Sequence, residues 1–150
     1  MTDRRRKWNI AFLCLYGAVM LWLLFHREPG SAEFYWEQVG TRLNLIPFAT
    51  IRRFWRLLFS EHSHLAKLGV VNLAGNVAMF VPLGFLLPGA VPRLAGFWKT
   101  FLTAGLLICA VEVLQMLLLL GSCDVDDLIL NLAGVAIGYG MFRLANPKER

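Results

Sequence analysis

The stretch that decides the fold is GVVNLAGNVAMFVPLGFLLPG, residues 69–89, which has 21 residues and no charged side chain. A helix of this length is about 30 Å long at 1.5 Å per residue, which matches the hydrocarbon thickness of a bilayer. Pro82 and Gly84 lie inside the run and predict a kink, because proline removes one backbone hydrogen bond. The stretch therefore predicts a transmembrane helix over about 69–88.

Three further apolar runs accompany it and predict transmembrane helices over about 8–25, 100–120 and 128–145. Hydrophobic residues make up 57% of the 150-residue chain and charged residues only 17%. A soluble protein of this size would need a far more polar surface. The sequence thus predicts an all-α integral membrane protein in which residues 1–150 form one membrane domain with four transmembrane helices.

The first loop contains a different pattern, LIPFATIRRFWRLLFS at residues 45–60. Arg52 and Arg56 fall on one face of a helix, while apolar residues recur on the other face at Ile51, Phe54, Trp55 and Leu58. This pattern predicts an amphipathic helix in the membrane interface, which either contacts lipid or packs on the bundle.

The distribution of Lys and Arg predicts the orientation, because short loops rich in these residues stay in the cytoplasm. With the N-terminus inside, nine of the 15 basic residues are cytoplasmic, and the third loop, 121–127, has none. We therefore expect a multi-pass protein of the cytoplasmic membrane with both termini in the cytoplasm. The net charge of +5 comes from residues that flank membrane spans, and no nucleic-acid-binding motif accompanies them, so no nucleic-acid partner is expected.

Polar residues inside the apolar runs share helix faces by their spacing: Asn72 with Asn76, Glu112 with Gln115, and Asp127 with Asn131. A carboxylate at mid-bilayer costs about 2.5–3.5 kcal/mol, so these groups should face inward. Helices two and four begin, and helix three ends, on the same side of the membrane. The polar groups therefore converge on one end of the bundle, which is extracytoplasmic in the expected orientation.

Two interpretations of this cluster remain open. Buried polar groups often hold membrane helices together, at about 0.6 kcal/mol per hydrogen bond. Ionisable groups within a membrane, such as Glu112, instead indicate a functional site, with Asp124 and Asp127 at its rim. Asp126 is one residue out of phase, so the pattern does not decide whether it faces the cavity or solvent. In the fourth helix, Gly134 and Gly138 form a GxxxG pattern that predicts close helix packing.

The motifs together resemble the VanZ-like family. The similarity rests on NLIPF at 44–48, NLAGNVAMFVPLGFLLP at 72–88, the ExxQ of Glu112 and Gln115, and DVDDLILNLAG at 124–134, over about 90 residues. The resemblance implies a small helical protein of the bacterial cytoplasmic membrane, associated with reduced sensitivity to teicoplanin and related lipid-bearing glycopeptides. Family members usually carry an arginine three residues before the first aspartate, where this chain has Gly121. The positive charge of the missing arginine would then come from Arg52, Arg53 or Arg56, or from a cation or ligand.

Three functions fit these features, and binding is preferred to catalysis. The protein would engage a lipid-linked envelope component, or limit antibiotic access, through the inward-facing polar residues and the loop residues: Asn72, Asn76, Glu112, Gln115, Asp124, Asp127, Asn131, Arg52 and Arg56. As an enzyme on a lipid-linked substrate, it would use Glu112 as acid or base, with a divalent cation held by Asp124 and Asp127. As a scaffold, it would bind membrane partners or a second copy of itself through its small residues.

Overall fold

The structure is a computed structural model that describes residues 3–26, 28–31 and 33–147. Its α-helices within those residues are α1 (Asp3–Phe25), α2 (Tyr35–Thr41), α3 (Ala49–Leu58), α4 (Ser63–Ala90), α5 (Phe97–Leu117) and α6 (Val125–Ala145). A 3-10 helix spans Pro92–Leu94 between α4 and α5. Two short strands, β1 (Leu43–Asn44) and β2 (Cys123–Asp124), pair in parallel.

Four of these helices, α1, α4, α5 and α6, are long and apolar enough to cross a membrane. This confirms the predicted all-α membrane fold. α1 begins at Asp3, whose carboxylate lies 2.8 Å from Lys7 Nζ one turn later, so the helix includes the basic turn before its apolar run. α4 has 28 residues and is about 42 Å long at 1.5 Å per residue. It therefore exceeds the hydrocarbon thickness and must tilt or project beyond it.

α4 is the central helix of the bundle, because it packs against α1, α3, α5 and α6. It continues as one helix through Pro82 and Pro88. Near Pro82, the Tyr16 hydroxyl of α1 donates a hydrogen bond to the Met79 carbonyl oxygen at 3.0 Å. The buried apolar core lies around α4 and consists of Met20, Phe80, Leu83, Leu87, Ala104, Ile108 and Val135.

α4 and α6 pack closely because glycines at their contact have no side chain to separate the two backbones. A Cβ added at Gly134 would overlap the Val77 carbonyl oxygen, and one added at Gly138 would overlap the Val81 carbonyl oxygen. The predicted packing role of this GxxxG pattern is thus confirmed, and its partner is α4 of the same chain. Backbones this close allow polar side chains on the two helices to meet directly.

One end of the bundle, which we call the polar end, contains the end of α1, the start of α4, the end of α5 and the start of α6. The side chain of Gln115 on α5 donates to the Leu24 carbonyl oxygen of α1 at 2.8 Å. α3 lies beside the start of α4, since a Cβ added at Gly69 would lie 2.7 Å from the Phe54 carbonyl oxygen. The predicted amphipathic helix of the first loop is therefore present, and it packs on the bundle.

Candidate functional site

The first aspartate of the DVDD stretch joins two distant segments of the chain at the polar end. Asp124 Oδ2 accepts hydrogen bonds from Asn44 Nδ2 at 3.0 Å and from Thr50 Oγ1 at 2.6 Å. Its Oδ1 accepts the backbone N–H of Asp126 at 2.8 Å, so Asp124 is also the N-cap of α6. Both oxygens accept hydrogen bonds within the protein. Neighbouring residues do not indicate this, because the side-chain partners are 74–80 positions away.

Asp126 faces neither solvent nor a shared cavity, which answers the question left open by its phase. Its side chain is completely buried and accepts the backbone N–H groups of Phe48 at 2.5 Å and Ile51 at 2.9 Å. These donors belong to the start of α3, where Phe48 has a left-handed backbone with φ 63°. A carboxylate is favourable at a helix N-terminus. Asp126 therefore fixes the position of α3.

Four of the predicted site residues form a line along the contact between α4 and α6, which we call the polar column. Asn76 Nδ2 donates to Asp127 Oδ1 at 2.7 Å and joins the two helices. α4 and α6 both start at the polar end and run parallel, so Asn72 lies one turn before Asn76 toward the polar end, and Asn131 lies one turn after Asp127, deeper in the bundle. Along each helix, the two residues are separated by about 6 Å at 1.5 Å per residue.

The ends of the polar column are hydrogen-bond acceptors without partners. In the part of the chain that the structure describes, Asn72 Oδ1 and Asn131 Oδ1 are buried and accept no hydrogen bond. Asn131 is only 2% exposed. A buried polar atom left unpaired costs about 1–3 kcal/mol, so it normally has a partner in the protein, in water or in a ligand. Each of these two oxygens therefore has an unused capacity to accept a hydrogen bond.

The two predicted residues of α5 are placed differently from one another. Gln115 is buried and holds α5 to the last turn of α1, so its amide is used in packing. Glu112 is half-buried one turn earlier. Burial, followed by the charges of Glu112, Cys109 and Asp124, raises the pKa of the Cys123 thiol, which places Glu112 near the loop at the polar end.

The arginines of α3 lie on the exposed surface of the helix. Arg52 and Arg56 are exposed on the helix surface. Arg53 is also exposed, with its Cζ 5.8 Å from the centre of the Phe54 ring. Arg52 and Arg56 therefore form a separate basic surface beside the bundle.

The arginine that reaches the Gly121 turn is Arg42, which the sequence analysis did not select. Its Nη1 donates to the carbonyl oxygens of Leu119 and Gly121, both at 3.1 Å. Its own carbonyl oxygen accepts the Cys123 N–H at 2.9 Å. Arg42 comes two residues before the NLIPF motif, so the pairing of β1 with β2 brings it to this turn.

Metal ligation through Asp124 and Asp127 receives no support from this geometry. Among the described residues, no three His, Cys, Asp or Glu side chains come together in an arrangement that could hold a metal ion. Asp124 is also occupied by three hydrogen-bond donors. The site is therefore a set of hydrogen-bond acceptors with one carboxylate, Asp127, in the polar column.

The model of the VanZ/LLP1 family matches residues 13–146. The chain belongs to the VanZ/LLP1 family. It is 25% identical over 134 residues to Protein VanZ of Enterococcus faecium, across 89% of this chain and 73% of that protein. No solved structure matches the chain. In this VanZ/LLP1 chain, the NLIPF and DVDD stretches meet at the polar end, and Asp124 and Asp126 connect them.

Proposed function

We propose that the protein binds the head of a lipid-linked envelope component in its polar column from the extracytoplasmic side, and so limits the access of lipid-bearing glycopeptides such as teicoplanin. The observation that carries this proposal is the pair of buried, unpartnered amide oxygens of Asn72 and Asn131 on either side of the Asn76–Asp127 pair. Membership of the VanZ/LLP1 family supports the link to these antibiotics.

The chemistry of the polar column favours a ligand rich in hydroxyl or amine groups. Amide oxygens accept hydrogen bonds, and Asp127 adds an acceptor that is negatively charged when ionised. Envelope precursors carry sugars and amines on a lipid anchor, which would place the donor groups at the membrane surface. The predicted orientation puts the polar end on that side, because nine of the 15 basic residues then remain in the cytoplasm.

Substitution of Asn131 by Leu tests the proposal directly. Leu has a similar volume and removes the unpartnered oxygen, so the helices should still pack and the free energy of unfolding should stay equal or rise by about 1 kcal/mol. Binding should be lost. We expect cells with Asn131→Leu to resemble the deletion strain in teicoplanin susceptibility and in surface binding of a fluorescent lipoglycopeptide, at expression equal to wild type.

Two more variants define the outcome. Asp127→Asn keeps an acceptor for Asn76 but removes the charge, and it should weaken the effect on lipoglycopeptide binding. Asn146→Ala, at the opposite end, loses only a hydrogen bond to the Phe142 carbonyl oxygen and should behave as wild type. If Asn131→Leu and Asp127→Asn both match wild type while the deletion differs, the polar column only holds helices together.

Mass spectrometry of envelope lipids separates binding from chemistry. A binding protein leaves the lipid composition of the deletion strain and the wild type equal, although surface binding of the antibiotic differs. A lipid species that appears or disappears in the deletion strain would instead favour an enzyme, and the same comparison with Glu112→Gln would test Glu112 as its acid or base.

A further inference from the structure

A second cavity lies outside the polar column, between α3 and the membrane-facing side of α4. It has a volume of about 610 Å³ and is lined by Ile51, Trp55 and Leu58 of α3, by α4 residues between Val70 and Val81, and by Leu130 of α6. Trp55 is 56% exposed and Val70 is 53% exposed, so the cavity opens on the outer surface of the bundle. Its described lining is apolar and includes no residue of the polar column.

The length of the cavity corresponds to one leaflet of a bilayer. From Val70 to Val81, α4 rises about 16 Å at 1.5 Å per residue. The hydrocarbon core is about 30 Å thick, so one leaflet contributes about half of that. The cavity starts beside α3 at the polar end and runs toward the middle of the bundle. It therefore suits the acyl chain of a lipid in one leaflet.

The helix beside the cavity carries positive charge. α3 contains Arg52, Arg53 and Arg56 and no acidic residue. At 100° per residue, Arg52 lies about 90° around α3 from the middle of the cavity-lining face, Arg56 about 130° and Arg53 about 170°, so Arg52 is nearest to the cavity and Arg53 is farthest from it. Asp126 holds the start of α3 through two backbone hydrogen bonds, which fixes Arg52 relative to the cavity.

We propose that this surface is a binding site for one anionic glycerophospholipid, with an acyl chain in the cavity and the phosphate at Arg52. Charge complementarity selects the headgroup, because arginine binds phosphate through paired N–H donors. The site is independent of the polar column, and its loss would leave the proposed function of that column open to its own test.

Native mass spectrometry of the full chain, purified in detergent, tests this site. The protein is incubated with an equal mixture of phosphatidylglycerol and phosphatidylcholine, and the bound lipids are counted. Wild type should retain phosphatidylglycerol preferentially. Arg52→Gln should reduce that preference by about fivefold, the effect of one basic residue near an anionic lipid surface. Arg53→Gln, which removes the same charge from the far side, should retain it.

Filling the cavity tests the acyl chain separately. Ala74 lines the cavity and is exposed, so Ala74→Phe places a ring in it without entering the core. We expect this variant to lose the tightly bound lipid while it elutes and unfolds as wild type. The proposal is overturned if wild type shows no preference, if Arg53→Gln lowers it as much as Arg52→Gln, or if Ala74→Phe keeps the bound lipid.

Discussion

At the scale of single residues, the three neighbouring aspartates have different tasks. Asp124 accepts hydrogen bonds from Asn44 and Thr50 and caps the start of α6. Asp126, in α6, accepts the N–H groups at the start of α3. Asp127 alone turns into the bundle, where it meets Asn76. The alternation follows from their position at a helix start, where consecutive side chains point 100° apart. Two of the aspartates thus explain the shape of the polar end, and the third belongs to the polar column.

Asp126→Ala should therefore lower stability rather than act on a ligand. The change leaves the N–H groups of Phe48 and Ile51 without their acceptor at a fully buried position, which should lower the free energy of unfolding by about 2 kcal/mol. Thermal unfolding in detergent, followed by circular dichroism, measures this. Asp3→Ala removes only an exposed pair with Lys7 and serves as the control. Equal unfolding temperatures for the two variants would contradict the role of Asp126.

At the scale of helices, the contact between α4 and α6 depends on where glycine stands. Gly138 touches the backbone of α4, whereas a Cβ added at Gly140 would meet nothing within 4 Å. Gly138→Ala should push the helices apart and lower the free energy of unfolding by about 1–3 kcal/mol. Gly140→Ala should leave stability equal or slightly higher, because alanine favours a helix. Unfolding curves in mixed micelles compare the two, and equal curves would contradict the close contact.

The four long helices could be predicted from sequence because each is a local property: an uncharged apolar run of membrane length. α3 was also predictable, since its two faces repeat at helical spacing. The pairing of β1 with β2 and the cap provided by Asp126 could not be, because each depends on residues 75–80 positions apart. The spacing showed that Asn72 and Asn76 share a helix face. The hydrogen bond from Gln115 to α1 could not be predicted, because it depends on how the helices pack.

At the scale of the whole molecule, the arrangement of the helices places all the residues of the polar column toward one end. The proposed function depends on which side of the membrane that end faces. The bias of nine basic residues against six favours the extracytoplasmic side. That bias is modest because the first loop contains the arginines of α3. A direct measurement of sidedness is therefore the experiment on which the proposed antibiotic effect depends.

Cysteine labelling of intact cells makes this measurement. Ser122 at the polar end and Gly96 at the opposite end are both exposed, and each is replaced by Cys in a Cys123→Ser background. Cys14 and Cys109 lie within membrane-spanning helices, away from a water-soluble reagent. A membrane-impermeant maleimide should label Ser122→Cys in intact cells and Gly96→Cys only after permeabilisation. The reverse pattern would place the polar column on the cytoplasmic side and contradict the proposed function.

The native Cys123 supplies an internal check of the geometry at the same end. Burial, together with the charges of Glu112, Cys109 and Asp124, raises its pKa, so less of the reactive thiolate is present at neutral pH. Wild-type Cys123 should therefore react more slowly than Ser122→Cys at pH 7, and its rate should continue to rise at a pH where the exposed thiol has reached its plateau. Replacing Glu112 by Gln should move that rise to lower pH, because one of the negative charges that oppose ionisation is gone. Identical pH profiles for Cys123 with and without Glu112 would show that the carboxylate lies too far from this loop to act on it.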